Sequence, residues 1–146
     1  MESDLISLAF KKAVKLLDKA HDDMGLLPPE VSTFLFVHSA QGVIDNGGYL
    51  YFFESNWPNS PSYSKFVESY RAIGCEKQAN ELARVISTFP FENAHLEEYL
   101  RNKYMDDNYD ENKCEIKGWG NDLCGDEEVW AKLEQYYISN KKKFAW

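Results

Sequence analysis

The fold is decided by one stretch: Pro28-Pro29-Glu30-Val31-Ser32-Thr33-Phe34-Leu35-Phe36-Val37-His38-Ser39-Ala40-Gln41-Gly42-Val43-Ile44-Asp45-Asn46-Gly47-Gly48-Tyr49-Leu50-Tyr51-Phe52-Phe53-Glu54. Proline is tolerated in the first turn of a helix, and an acid there suits the helix dipole, so Pro28-Pro29-Glu30 opens one. Val31, Phe34, Leu35, Phe36, Val37, Ala40, Val43 and Ile44 then wrap most of its circumference. A helix apolar nearly all round is buried, which makes this the central helix of a helical core. Asn46-Gly47-Gly48 stops it, because positive φ is cheap at glycine. Tyr49 to Glu54 fits two helical turns or one strand. A lone strand would have nothing to pair with, so the reading is helix, with Asn46-Gly47-Gly48 as a corner between two helices.

Outward from this stretch the same periodicity recurs. Leu5, Leu8, Ala9, Ala13, Leu16, Leu17 and Ala20 give an amphipathic helix from Asp4 to Met24, ended by Gly25. Asn56 to Pro61 is a loop by composition. Ser60-Pro61 reads as the cap and first turn of a helix carrying Phe66, Val67, Tyr70 and Ile73 and closed by Gly74. Ala79, Leu82, Ala83 and Ile86 form the next, closed before Pro90 and packed on its predecessor as an antiparallel hairpin. Leu96, Tyr99, Leu100 and Tyr104 make a shorter stripe. Asp126 caps a last helix bearing Val129, Trp130, Leu133, Tyr136 and Tyr137, with Lys141-Lys142-Lys143 near its end. The fold class is all-α: a compact single-domain bundle of six or seven helices over residues 1–146.

Composition sets the outer limits. The chain has 146 residues, of which 44% are hydrophobic and 27% charged, an ordinary globular balance that needs no disulfide or metal. No apolar run reaches the about 20 residues that span a bilayer. The N-terminus carries no basic, cleavable hydrophobic segment, so the expected location is cytoplasmic. The three cysteines, Cys75, Cys114 and Cys124, form no CxxC and read as reduced thiols.

Charge is the distinguishing feature. The net charge is −8, which disfavours direct binding of nucleic acid or an anionic membrane and permits basic partners. Residues 106–128 hold nine acids, Asp106, Asp107, Asp110, Glu111, Glu115, Asp122, Asp126, Glu127 and Glu128, against Lys113 and Lys117. Seven of the eight excess negative charges therefore sit in this loop-rich stretch. It is not an EF-hand: counting from Asp106, the glycine position holds Glu111 and the final glutamate position holds Lys117. No metal and no cofactor is expected.

Two other groupings carry candidate chemistry. His38, Gln41 and Asp45 share one face of the central helix. They read either as a pocket with His38 as general base or as a buried network in which Asp45 or Asn46 bonds backbone amides of the turn. Tyr49, Tyr51, Phe52, Phe53 and Trp57 lack the interleaved bases that nucleic-acid stacking uses, and read as core, with Tyr51 and Trp57 available to an interface. No phosphate loop, nucleophile elbow or zinc-protease motif is present.

Gln41, Ile44, Asn46-Gly47-Gly48, Tyr49, Phe52-Phe53 and Asn56, followed by Ala72-Ile73-Gly74 opening a second helix, Ala79 and Phe89-Pro90, resemble the bacterial DNA-mimic protein family, a domain otherwise of unknown function. The resemblance is best over residues 28–90. It implies an acidic all-α protein whose carboxylates imitate duplex phosphates and occupy the DNA-binding face of a basic transcription regulator. The matched residues, Gln41, Asn46, Gly47, Gly48, Phe52, Phe53 and Gly74, look like scaffold. The acids at 106–128 are then the candidate partner-binding residues. Laid along one helix they would give one net charge per about 5 Å, against one per about 1.7 Å of duplex, so mimicry requires folding to gather acids, with Asp18, Asp22 and Asp23 of the first helix as candidates. The leading expectation is a noncatalytic acidic protein-binding domain that sequesters a basic DNA-binding protein. Alternatives are an immunity protein against a basic toxin or nuclease, and a small enzyme built on His38, Gln41 and Asp45. A second copy of the chain is also admissible as a partner.

Overall fold

The computed structural model describes residues 3–145. Ser3 starts the first helix, its hydroxyl accepting from the Ile6 amide at 3.2 Å, and α1 runs Asp4–Lys19. It is shorter than the periodicity predicts. His21 (φ 54°) and Asp22 (φ 63°) take left-handed backbone, and the Asp23 carboxylate accepts from the Gly25 amide at 2.9 Å in a 3-10 turn over Met24–Leu26. Short polar side chains offer the backbone such alternatives, so the run His21-Asp22-Asp23 ends the helix, and Gly25 does not. Asp22 and Asp23 therefore lie beyond the first helix.

The helix α2, Pro29–Glu54, is the axis of the molecule and breaks once, at Gly47 and Gly48. Both glycines are required at the corner. Gly48 has φ 68°, and a Cβ there would sit 2.7 Å from Asn121 Oδ1, while a Cβ on Gly47 would run into the Tyr51 ring. The segment beyond the corner is helical, as predicted. Val31, Phe34, Val37, Ala40, Ile44, Phe52 and Phe53 are completely buried, because α1 and the helices over residues 63–72, 98–107 and 127–139 all pack against α2.

Helices α3 (Tyr63–Ala72) and α4 (Glu76–Ile86) pack closely on each other. The start of α3 differs from expectation. Its cap is Ser62, which bonds the Ser64 amide, while Asn59 and Ser60 are left-handed loop residues. Ala72-Ile73-Gly74 closes α3 rather than opening a helix, with Gly74 at φ 93° supplying the reversal to α4.

The largest departure concerns α5, Glu98–Asp107. Leu96 and Tyr99 face solvent, and Leu100 is more than a third exposed. The buried face carries Arg101 and Met105. A two-residue antiparallel hairpin follows, β1 (Tyr109–Asp110) pairing with β2 (Glu115–Ile116). Helix α6, Glu127–Ser139, is capped by Asp126, which accepts from the Glu128 amide at 3.0 Å. Its buried face is Val129, Trp130, Leu133 and Tyr137, and Tyr136 is half-buried. A final 3-10 turn seats Phe144 against Phe34 and Tyr137. The architecture is all-α with this one small hairpin, and among the described residues no helix is long and apolar enough to cross a membrane.

Candidate functional site

The acidic stretch is anchored at four points, and each anchor follows from a particular side chain. The first is Arg101 on α5. Its side chain is buried, and its guanidinium donates to Phe53 O at 2.9 Å, Ala94 O at 2.6 Å and Asn56 Oδ1 at 2.9 Å. Phe53 lies in the last turn of α2, where carbonyls lack helical partners and favour a cation. Arg101 thus fastens α5, and with it Asp106 and Asp107 two turns further on, to the end of the central helix.

The second anchor is Trp119. It is buried among Phe53, Phe89 and Tyr104, with ring centroids at 5.1, 5.6 and 6.3 Å, and its indole N–H donates to Thr88 Oγ1 at 2.7 Å. The third is Arg84 of α4, which donates to Gly118 O at 2.8 Å and Trp119 O at 2.7 Å while pairing with Glu81. That hydrogen bond from Arg84 holds the Glu81 carboxyl below the usual carboxylate range.

The fourth is the Gln41–Asp45 pair. The Gln41 amide donates to Asp45 Oδ1 and to Leu123 O, both at 2.7 Å, and its carbonyl accepts from Tyr70 at 2.8 Å. Asp45 accepts from the Gly125 amide and from Trp130 Nε1, both at 2.8 Å. The backbone amide that Asp45 holds therefore belongs to the acidic stretch, eighty residues on, and not to the neighbouring Asn46-Gly47-Gly48 turn. His38 does something else: its ring stacks on Phe10 at 4.2 Å and meets Trp130 edge-on at 5.6 Å.

Between these anchors the acids point outward. Asp106, Asp107, Glu111, Asp122, Glu127 and Glu128 are exposed, and Asp110, Glu115 and Asp126 are half-buried. They are not equivalent. Asp126 caps α6 and accepts from Gln78, and Glu127 and Glu128 sit where a helix N-terminus favours negative charge. Asp107 pairs with Lys103 at 3.2 Å. The hairpin is different: Asp110 stands directly opposite Glu115 across the two strands. Like charges in that position are destabilising. Asp110 has a local task, its carboxylate accepting from the Asn112 amide at 3.0 Å within the turn, so Glu115 is the charge that the turn does not use. Among the described residues no group of three or more His, Cys, Asp or Glu is placed to hold a metal ion. Cys75 is buried, Cys114 exposed and Cys124 half-buried, all as free thiols.

The sequence reading brought out Gln41, Asp45 and the corner glycines but missed Arg101, Arg84 and the plug formed by Trp119. Arg101 carries one legible signal, a cation three and four residues before the apolar Tyr104 and Met105 on an otherwise polar helix. A family model described as DMP19-like protein matches residues 25–141 of the chain. That span takes in α2 through α6 and every one of the nine acids. No curated protein and no solved structure matches the chain.

Proposed function

The chain belongs to the DMP19-like protein family, and on that footing we propose that it is a noncatalytic protein-binding domain that imitates duplex phosphates and occupies the DNA-binding face of a basic protein. The observation that carries the reading is Asp110 set against Glu115 in a hairpin whose tip adds exposed Glu111. A hairpin of two residues a side has little stability to spare, and of its three carboxylates only Asp110 has a part in the turn, so Glu111 and Glu115 support a role other than folding. Asp106 and Asp107 at the adjoining end of α5 extend the same acidic run.

The family residues support this indirectly. Gln41, Asn56 and Gly48 do not carry charge toward a partner. Gln41 and Asn56 hold segments that do, through Leu123 and Arg101, and Gly48 leaves the room in which Asn121 sits. A fixed array of carboxylates loses less entropy on docking than a mobile tail, and complementary charge contributes chiefly on-rate and register.

The test is capture from a lysate of the source cell at low salt, with the tagged full chain as bait. The expected outcome is a basic DNA-binding protein that is released by a salt step and displaced by added duplex DNA. A captured protein that duplex DNA does not displace would contradict the mimicry, because the two ligands would not share a face.

A further inference from the structure

A second surface, away from the residues of the acidic stretch, has the form of a binding groove. Between α1, the front half of α2 and the loop that follows Trp57 lies a cavity of about 590 Å³. Phe10, Val14, Leu17, Met24, Phe36 and Trp57 line it, and each is half-buried, so the packing of the fold leaves all six partly uncovered on one side. Two adjoining cavities of about 490 and 390 Å³ share Met24, Phe36 and Pro61 with it and continue the channel toward α3 and toward the turn at residues 21–25. A volume of this size matches the pockets that hold organic groups.

The polar residues on the wall of the main cavity are few: Asp22, Ser39 and Asn59. Asp22 is the one formally charged residue on the wall of the main cavity, and Asp23 joins it in the adjoining one. No Lys or Arg occurs in the sequence from His21 to Ser64, which includes the turn, the front of α2 and the loop. The first base is Lys65, on the α3 side of the channel next to Glu68. The mouth is also held in shape. Asp22 and Asn59 face each other across it, both with left-handed backbone (φ 63° and 65°), and Asn59 Nδ2 donates to Asp22 O at 3.1 Å.

We infer that this groove docks a peptide segment in which an apolar side chain is flanked by lysine or arginine, the apolar group entering among Phe36, Trp57 and Phe10 and the cation resting on Asp22. An apolar wall alone accepts any hydrophobe. The carboxylates of Asp22 and Asp23 at the rim, with no lysine or arginine on the wall of the main cavity and only the His21 imidazole beside them, select the cationic neighbour and repel an acidic one. The inference goes beyond the mimicry: the residues of the groove and those of the acidic stretch are different, so either can hold while the other fails.

The probe is a displayed library of random heptapeptides selected on the full-length chain at low salt, followed by titration of enriched peptides with Trp57 fluorescence and backbone amide NMR shifts. The expected enrichment is one or two of Leu, Phe or Met beside Lys or Arg, with shifts centred on residues 10–24 and 57–61. Asp22→Asn, which keeps a residue tolerant of left-handed backbone, should weaken binding about two- to fivefold at low salt and not at high salt. Trp57→Ala, checked for an intact fold by thermal unfolding, should weaken it about tenfold at either salt. Lysines in place of Asp106, Asp107, Asp110 and Glu111 should leave these peptides bound. No enrichment, enrichment of acidic peptides, or enriched peptides indifferent to both groove variants would overturn the inference. Loss of binding in the lysine variant would also overturn it, moving the peptides to the acidic stretch and leaving the mimicry reading intact.

Discussion

Arg101 shows most clearly how a single side chain sets the geometry of this molecule. Its guanidinium is buried, and its three acceptors are oxygens of Phe53, Ala94 and Asn56, with no carboxylate among them. The charge is stabilised by a helix C-terminus and by a fork geometry that serves three acceptors at once. Arg101→Met should therefore cost about 3 kcal/mol or more in urea unfolding, since it leaves the buried carbonyls of Phe53 and Ala94 unsatisfied. Arg101→Lys should recover little, because one ammonium cannot span acceptors on separate segments. A lysine variant as stable as wild type would show that the charge matters and the fork does not. This residue was hard to read in the sequence because an Arg on a polar helix is usually solvent-facing. Its partner Asn56 was noticed only through resemblance. Gly48 was legible in part: glycine at a corner follows from chain geometry, whereas the proximity of Asn121 is a contact across 73 residues that no local pattern encodes.

At the scale of elements, legibility followed the strength of the apolar pattern. The central helix with its start at Pro28-Pro29, its corner, and the cap at Asp126 are where the sequence places them, because a helix apolar on every side has one place to go. The stripe Leu96, Tyr99, Leu100 and Tyr104 misled in part: Leu96 lies in a 3-10 turn before α5, Tyr99 faces solvent, and only Tyr104 packs on the core, beside a buried face of Arg101 and Met105. Spacing fixes that a helix forms, and tertiary contacts decide which face is inside. The join between α3 and α4 offers a test at this scale. Cys75 precedes α4 and is buried, and burial first, with the carboxylates of Glu128 and Asp126 adding, pushes its thiol up to about 11, Lys132 opposing. The unfolded thiol titrates near about 8.5. Below that pH both states keep the proton and the contribution to stability is whole. As pH rises through that value the unfolded chain loses a proton that the folded chain retains, and stability falls until the folded thiol also ionises. Thermal unfolding between pH 8 and 11 should show a declining midpoint, and Cys75→Ala should flatten the decline. Equal slopes in the two proteins would remove Cys75 as the cause, leaving buried Tyr70, whose hydroxyl is also pushed up by burial.

At the scale of the whole molecule, a buried aromatic and aliphatic core supports a stretch in which nine acids outnumber two lysines. Spread along one straight helix, the acids of residues 106–128 would be too sparse to resemble a duplex. The fold instead breaks the stretch into a helix end, a hairpin, a clamped loop and a helix start, and fixes each piece to α2 or α4 through Arg101, Arg84, Trp119 and the Gln41–Asp45 pair. The composition of the sequence located the charge. It could not show that the family residues act as fasteners for it, because every fastening joins positions far apart in the chain. The measurement that tests the central claim most directly is the affinity of the captured basic partner for the wild-type chain and for the variant with Asp106, Asp107, Asp110 and Glu111 changed to lysine, titrated across a range of salt. Wild-type affinity should fall steeply with salt, and the folded variant should bind at least about a hundredfold more weakly at low salt, the difference closing as salt rises. Equal affinity of the two proteins at low salt would contradict the account and remove this stretch as the binding face.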